Sequence, residues 1–181
     1  MKFVKTEIPD VILIKPDIFE DNRGFFMESY HIDKFRVAGI NRPFVQDNHS
    51  KSKKNTLRGL HFQVNHPQAK LLRCLKGKVF DVAVDIRKDS PFFGKWVGKE
   101  LSDKNMFQLY IPEGFAHGYY VMSDNAEITY KCSTIYHPED ERCIRWDDPD
   151  IGIRWPAIEP ILSEKDINAK YISDAVNDIA S

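Results

Sequence analysis

The hydrophobic pattern is clearest from Lys78 to Arg87, "KVFDVAVDIR", where Phe80, Val82, Val84 and Ile86 alternate with Val79, Asp81, Ala83 and Asp85. A two-residue period puts successive side chains on opposite faces of an extended chain, so the segment is predicted to be a strand with one apolar face. Further strands are predicted over 11–15, 24–30, 44–50, 57–63, 70–76, 95–101, 106–111, 117–122, 126–134 and 142–146. Stretches such as "LKGK", "RKDSPFFG" and "MSDN" supply turn residues between them. Many short strands at this spacing point to a sandwich or a closed barrel.

Helical patterning is weak until the end. A short helix is predicted over 32–38, "IDKFRVA", stopped by Gly39. In the tail, Ser163 followed three residues later by Asp166 fits an N-terminal cap, and the apolar spacing after Ser173 suits another short helix. The expectation is one all-β domain over residues 1–181, with a barrel core at about 40–150 and helical trim at about 163–181.

Composition narrows the function classes. The chain of 181 residues carries 26 Lys and Arg against 27 Asp and Glu, so no global charge points to nucleic acid or an anionic membrane, and any anionic ligand must be held by local basic residues. No segment reaches the roughly 18 consecutive apolar residues of a membrane span, and "MKFVKTEIPD" lacks a secretory apolar core, so a cytoplasmic location is expected. Cys74, Cys132 and Cys143 show no C-x-x-C spacing and read as free thiols. There is no G-x-G-x-x-G and no phosphate-loop signature, which leaves dinucleotide oxidoreductases and P-loop hydrolases unsupported.

Two motifs carry candidate chemistry. Pro112-Glu113-Gly114-Phe115-Ala116-His117 resembles the second motif of the cupin double-stranded β-helix, a jelly-roll barrel. The first cupin motif is altered: His61-Phe62-Gln63 stands where His-x-His would be, and Lys70 lies in the region of the acidic ligand. An amide for an imidazole and an ammonium for a carboxylate turn an electron-donating cage into one that repels a divalent cation, so no metal is expected. A pocket holding His61, Lys70 and Arg58 instead suits removal of a proton beside a ketone, with imidazole as base and ammonium against the charge that builds on oxygen. A satisfied barrel-interior histidine is the alternative for His61. Arg58 and His61 have opposite strand parity, so Gly59 is a candidate bulge that re-aims one of them.

Six segments in order, "DNRGFFMESY" (21–30), "QDNHSKSKKNTLRGLHFQ" (46–63), "QAKLLRCLKGKVFDVAVDIRKDSPFFGKW" (68–96), "IPEGFAHGYYV" (111–121), "EITYKCSTIYHPEDERCIRWDDPDIGIRWP" (127–156) and "PILSEKD" (160–166), resemble the dTDP-4-dehydrorhamnose 3,5-epimerase family. The resemblance implies a cupin-type barrel, a homodimer and no cofactor. It implies inversion of C3 and C5 of dTDP-4-dehydro-6-deoxy-D-glucose in dTDP-L-rhamnose synthesis, a supply line for cell-surface polysaccharide. By the same resemblance His61 is the general base, Asp166 the carboxylate that orients it, Lys70 the group meeting the C4 oxygen, and Tyr130 the acid acting from the opposite ring face.

The resemblance also implies substrate contacts. Arg23 and Glu28 match an arm that crosses the dimer, Gln46, Asp47, Asn48 and Arg58 the surroundings of the nucleotide and diphosphate, and His117, Tyr136, Glu141 and Lys165 further contacts. Read singly, Asp166 is equally a capping residue, Tyr130 a core aromatic and each arginine a solvated charge. An epimerase acting at C3 or C5 alone on a related nucleotide 4-keto-6-deoxysugar, a metal-dependent oxygenase and a non-catalytic binding protein remain as competing readings.

Overall fold

Residues 1–156, 159–175 and 177 are described in the computed structural model. Two sheets face each other. One is built from β1 (Lys2–Lys5), β2 (Ile12–Lys15), β5 (Gln46–Lys53), β7 (Lys70–Lys76), β10 (Gln108–Ile111) and β12 (Asn125–Cys132), in the spatial order β1-β2-β10-β7-β12-β5. The other holds β6 (Leu57–Gln63), β8 (Lys78–Asp85), β9 (Trp96–Ser102), β11 (Phe115–Val121) and β13 (Glu141–Cys143), in the order β13-β6-β11-β8-β9. A separate hairpin of β3 (Ile18–Asp21) and β4 (Gly24–Met27) precedes helix α1 (Ile32–Val37), and α2 (Glu164–Ile167) and α3 (Ile172–Ala175) close the chain. Both sheets are antiparallel, and non-consecutive strands are neighbours in each, as in a cupin-type jelly roll.

The main core lies between the sheets, where Leu72, Leu109 and Ile128 of one meet Val79, Ala83, Leu101 and Val121 of the other. A second cluster covers the outer face of the five-stranded sheet, with Leu60, Phe62, Val82, Val84 and Ala116 under Ile144, Ile151 and Ile172 of the closing segments. β8 is therefore buried on both faces, which corrects the expectation of one apolar face. Phe80, Val82, Val84 and Ile86 turn outward beneath the tail, while Val79, Asp81 and Ala83 look into the barrel. Of the polar residues of that alternation, Asp81 faces the barrel interior, and Asp85 is held by Arg87 and Ser90.

Strands over 57–63 and 70–76 fall where the pattern predicts them. β1 and β3 were not foreseen: "KFVK" and "IFED" are four residues each and too short for periodicity to register. Since β1 and β2 extend the six-stranded sheet, the barrel begins well before the expected residue 40. Residues 24–30 form only the four-residue β4, and 142–146 only the three-residue β13. The helical trim appears as α2 and α3, with 176 and 178–181 outside the described residues. No helix among the described residues is long and apolar enough to cross a membrane.

The register of β6 against β11 carries the detail that matters most for the site. His117 pairs with His61 and Tyr119 with Arg58, so two steps on β11 match three on β6. The extra residue is a bulge, and it brings Arg58 and His61 onto one face. Gly59 sits there at φ +129, where a Cβ would meet Gly118 Cα at 2.5 Å and His117 O at 2.8 Å. Gly59→Ala is expected to destabilise the fold by about 2–4 kcal/mol in urea unfolding, combining backbone conformation with a backbone clash. Gly94→Ala, at φ +72 with open space around it, is the control and is expected to cost only about 1 kcal/mol; equal losses would show that the clash at Gly59 is relieved.

Candidate active site

His61 projects into the barrel from β6. Its Nε2 lies 2.6 Å from Asp166 Oδ1, a carboxylate brought from 105 residues downstream by the tail. Ser163 caps α2 by accepting the Asp166 N–H at 3.2 Å, and its own hydroxyl donates to Asp166 Oδ2 at 2.8 Å. Capping and the contact with histidine therefore coexist: the backbone of Asp166 is used for one and its carboxylate for the other. Cys143 on β13, paired in register with His61, donates its thiol to the same Oδ1 at 3.5 Å. Asp166 is only 2% exposed, so these donors are what make a charged carboxylate tolerable there.

Electrostatics set the protonation state of His61. Burial lowers its pKa from the ordinary 6.5, and this outweighs the raising effect of Asp166; the ammonium groups of Lys70 and Lys165 push in the same direction as burial. The imidazole is therefore neutral at pH 7, with Nε2–H turned to Asp166 and the Nδ1 lone pair available. Burial also lowers the pKa of Lys70, opposed by Cys132 and Asp81. Burial pushes the Tyr130 phenol up to about 12, so it holds its proton. His117 Nε2 meets Asp81 at 3.1 Å deep in the barrel, and burial lowers its pKa too.

Tyr130 and Lys70 come from the six-stranded sheet and His61 and His117 from the five-stranded one, so the two sets face each other across the interior. At the mouth, Glu141 Oε1 lies 3.8 Å from His61 Nδ1, and its Oε2 accepts the Tyr136 hydroxyl at 2.8 Å and the Lys165 ammonium. Gln46 uses its amide on Asn48 at 3.0 Å and on the Tyr136 N–H at 2.8 Å. Arg58 donates to Ser52 at 3.1 Å, and Asp47 pairs with Lys131. Arg23 and Glu28 are not brought to this cluster within the chain: they pair with Asp21 and Lys34, and Arg23 is 84% exposed.

His61, Asp166 and Cys143 offer ligand atoms within 4.8 Å of one another. Those atoms already face each other as donors and acceptor, and burial raises the Cys143 thiol strongly, so the soft ligand stays protonated. The donor set fits proton handling better than cation binding. Cys143 was not singled out in the sequence; only its pairing with His61 across β13 and β6 reveals it. All three cysteines are free thiols.

Residues 5–174 match the family model described as dTDP-4-dehydrorhamnose 3,5-epimerase. The dTDP-4-dehydrorhamnose 3,5-epimerase of Shigella flexneri is 56% identical over 177 residues, covering 97% of this chain and 98% of the relative. The chain belongs to this family. It is an epimerase, an isomerase of the dTDP-rhamnose pathway. The dTDP-6-deoxy-D-glucose-3,5-epimerase of Legionella pneumophila, solved in complex with dTDP-4-keto-L-rhamnose, superposes at TM-score 0.93 with 49% identity, covering 95% of this chain and 93% of that one. A 3'-monoepimerase from Streptomyces bikiniensis in complex with dTDP-quinovose superposes at 0.89 with 33% identity, covering 96% and 89%.

Asp166 raises the His61 pKa against burial, so Asp166→Asn is expected to lower it further. An NMR titration of the imidazole nitrogens checks this; an unchanged or raised pKa would show that the carboxylate does not bias the ring.

Proposed function

We propose that this chain interconverts dTDP-4-dehydro-6-deoxy-D-glucose and dTDP-4-dehydro-L-rhamnose, with His61 as base, Tyr130 as acid, Lys70 as enolate stabiliser and Asp166 as the group orienting His61. The observation carrying the reading is the neutral imidazole held by Asp166 on one sheet, opposite a protonated phenol on the other. His61 Nδ1 takes the proton beside the C4 ketone, and the C–H electron pair moves to the C4 oxygen as an enolate. The Lys70 ammonium stabilises that charge. Tyr130 then delivers its proton to the same carbon from the other ring face, which inverts it. The resulting imidazolium and phenolate are reset by solvent before the cycle repeats at the second carbon.

Asp166 serves this chemistry twice: it fixes the tautomer that leaves Nδ1 free, and it stabilises the imidazolium once formed. Arg58 supplies a bidentate donor for the diphosphate. Gln46, Asp47, Asn48, His117, Tyr136, Glu141 and Lys165 are assigned to substrate contact. The β3–β4 hairpin exposes Phe19 at 64% and Phe26 at 71% as a cross-strand pair on one face and Phe25 at 53% on the other, apolar surface that a second copy would cover. This supports a homodimer in which Arg23 and Glu28 serve the partner's site. The three free thiols and the lack of a long apolar helix among the described residues are consistent with a cytoplasmic, single-domain enzyme.

Incubation with dTDP-4-dehydro-6-deoxy-D-glucose in deuterated solvent, read by NMR, is expected to label both C3 and C5. Label at one carbon would mean a mono-epimerase, and no label would overturn the reading. His61→Ala is expected to abolish exchange, whereas Tyr130→Phe keeps exchange measurable and loses inversion, chiefly at C5. Because the base must be neutral, kcat/KM is expected to fall as pH drops through the His61 pKa, below 6.5; an acid limb above that value would contradict the burial effect. Mixing inactive Arg23→Ala and His61→Ala chains should restore about a quarter of wild-type activity if the arm serves its partner, since half the mixed dimers' sites receive both intact groups.

A further inference from the structure

Gln63 occupies the position of the absent second imidazole, and its amide is fully engaged. Its side chain is 6% exposed at the end of β6. Its Nε2 donates to His66 O at 2.6 Å and to Ile135 O at 3.4 Å, and its Oε1 accepts the His137 N–H at 2.7 Å. Residues 135–137 belong to no strand; they lie between β12 and the single 3₁₀ turn Pro138–Asp140. The N–H between the two Gln63 contacts, that of Tyr136, goes to Gln46 Oε1 at 2.8 Å. Two glutamines, one from each sheet, thus hold three consecutive backbone groups where sheet pairing supplies none.

The clamp also joins two loops. His66, whose carbonyl Gln63 holds, stacks on His137 at 4.1 Å, and Asp140 accepts the N–H groups of Asn65 and His66 at 2.9 and 2.8 Å. Tyr136 rides on this assembly with its ring 43% exposed at the barrel mouth and its hydroxyl on Glu141. A side chain so placed has little packing of its own to orient it, and its direction is set by the backbone beneath together with the hydroxyl bond to Glu141.

We propose that Gln63 is a positioning residue that fixes Tyr136 for contact with the nucleotide, so that it governs affinity for the nucleotide sugar without taking part in proton transfer. This rests on the assignment of Tyr136 as a nucleotide contact. Binding of a flat base to a ring held in place costs less ordering than binding to one that must first be immobilised. Loss of the clamp therefore raises KM and leaves kcat, which depends on His61, Lys70 and Tyr130.

The test uses Gln63→Leu and Gln63→Glu in the full chain. The second variant keeps an oxygen for the His137 N–H and loses the donor to His66 and Ile135, so it remains informative if the first fails to fold. Each is expected to raise KM, and the Kd of dTDP measured by calorimetry, about tenfold, with kcat within about twofold. In a Tyr136→Leu background the same changes should have no further effect. A fall in kcat at unchanged KM overturns the proposal. Unchanged dTDP affinity in the Gln63 variants, with affinity lost in Tyr136→Leu, overturns it while the Tyr136 assignment stands. If Tyr136→Leu itself binds dTDP normally, the assignment fails and the proposal with it.

Discussion

The close approach of Gly59 to Gly118 is the constraint on which the site depends. Two adjacent strands come so near that a methyl group on either glycine would run into the other backbone: at Gly118 a Cβ would meet Arg58 O at 2.8 Å. That proximity is what admits the bulge, and the bulge places Arg58 and His61 on one face of β6 although their spacing is odd. In a regular strand one of the two would point into the hydrophobic layer beneath the tail. The proposed diphosphate anchor and the proposed base could then not share a cavity.

From this follows the division of labour between the sheets. The proposed base and acid work on opposite faces of a ring, which side chains lying side by side on neighbouring strands of one sheet would not reach. His61 and Tyr130, proposed for these roles, come from β6 and β12, across the barrel. The same burial that lowers the pKa of His61 raises that of Tyr130. One physical cause leaves the imidazole unprotonated and the phenol protonated at neutral pH, and Asp166 moderates the first effect without reversing it.

Much of this was legible in the sequence because it is local. The strands over 57–63 and 70–76, the cap at Ser163 and the bulge at Gly59 follow from spacing and residue type alone. What escaped is non-local. The polar side of "KVFDVAVDIR" reads as solvent-facing until the tail is seen to cover the other side, and then Asp81 becomes an interior partner of His117. Cys143 carries no motif, and its contact with Asp166 exists only because β13 pairs with β6 while α2 docks above them. Arg23 and Glu28 lie away from the cluster, on and just after a hairpin whose Phe19, Phe25 and Phe26 stay exposed within the chain.

Gln63 stands where the cupin motif would place a second imidazole, beside the residues proposed for acid–base chemistry. A glutamine satisfies backbone groups there, since its amide nitrogen donates to the His66 carbonyl and its oxygen accepts the His137 N–H. The replacement at Lys70 works by charge: an ammonium inside the barrel opposes a cation and favours an enolate. The two substitutions therefore act on different terms, one organising the loop that carries Tyr136 and the other setting the field in which His61 works, and neither could stand in for the other.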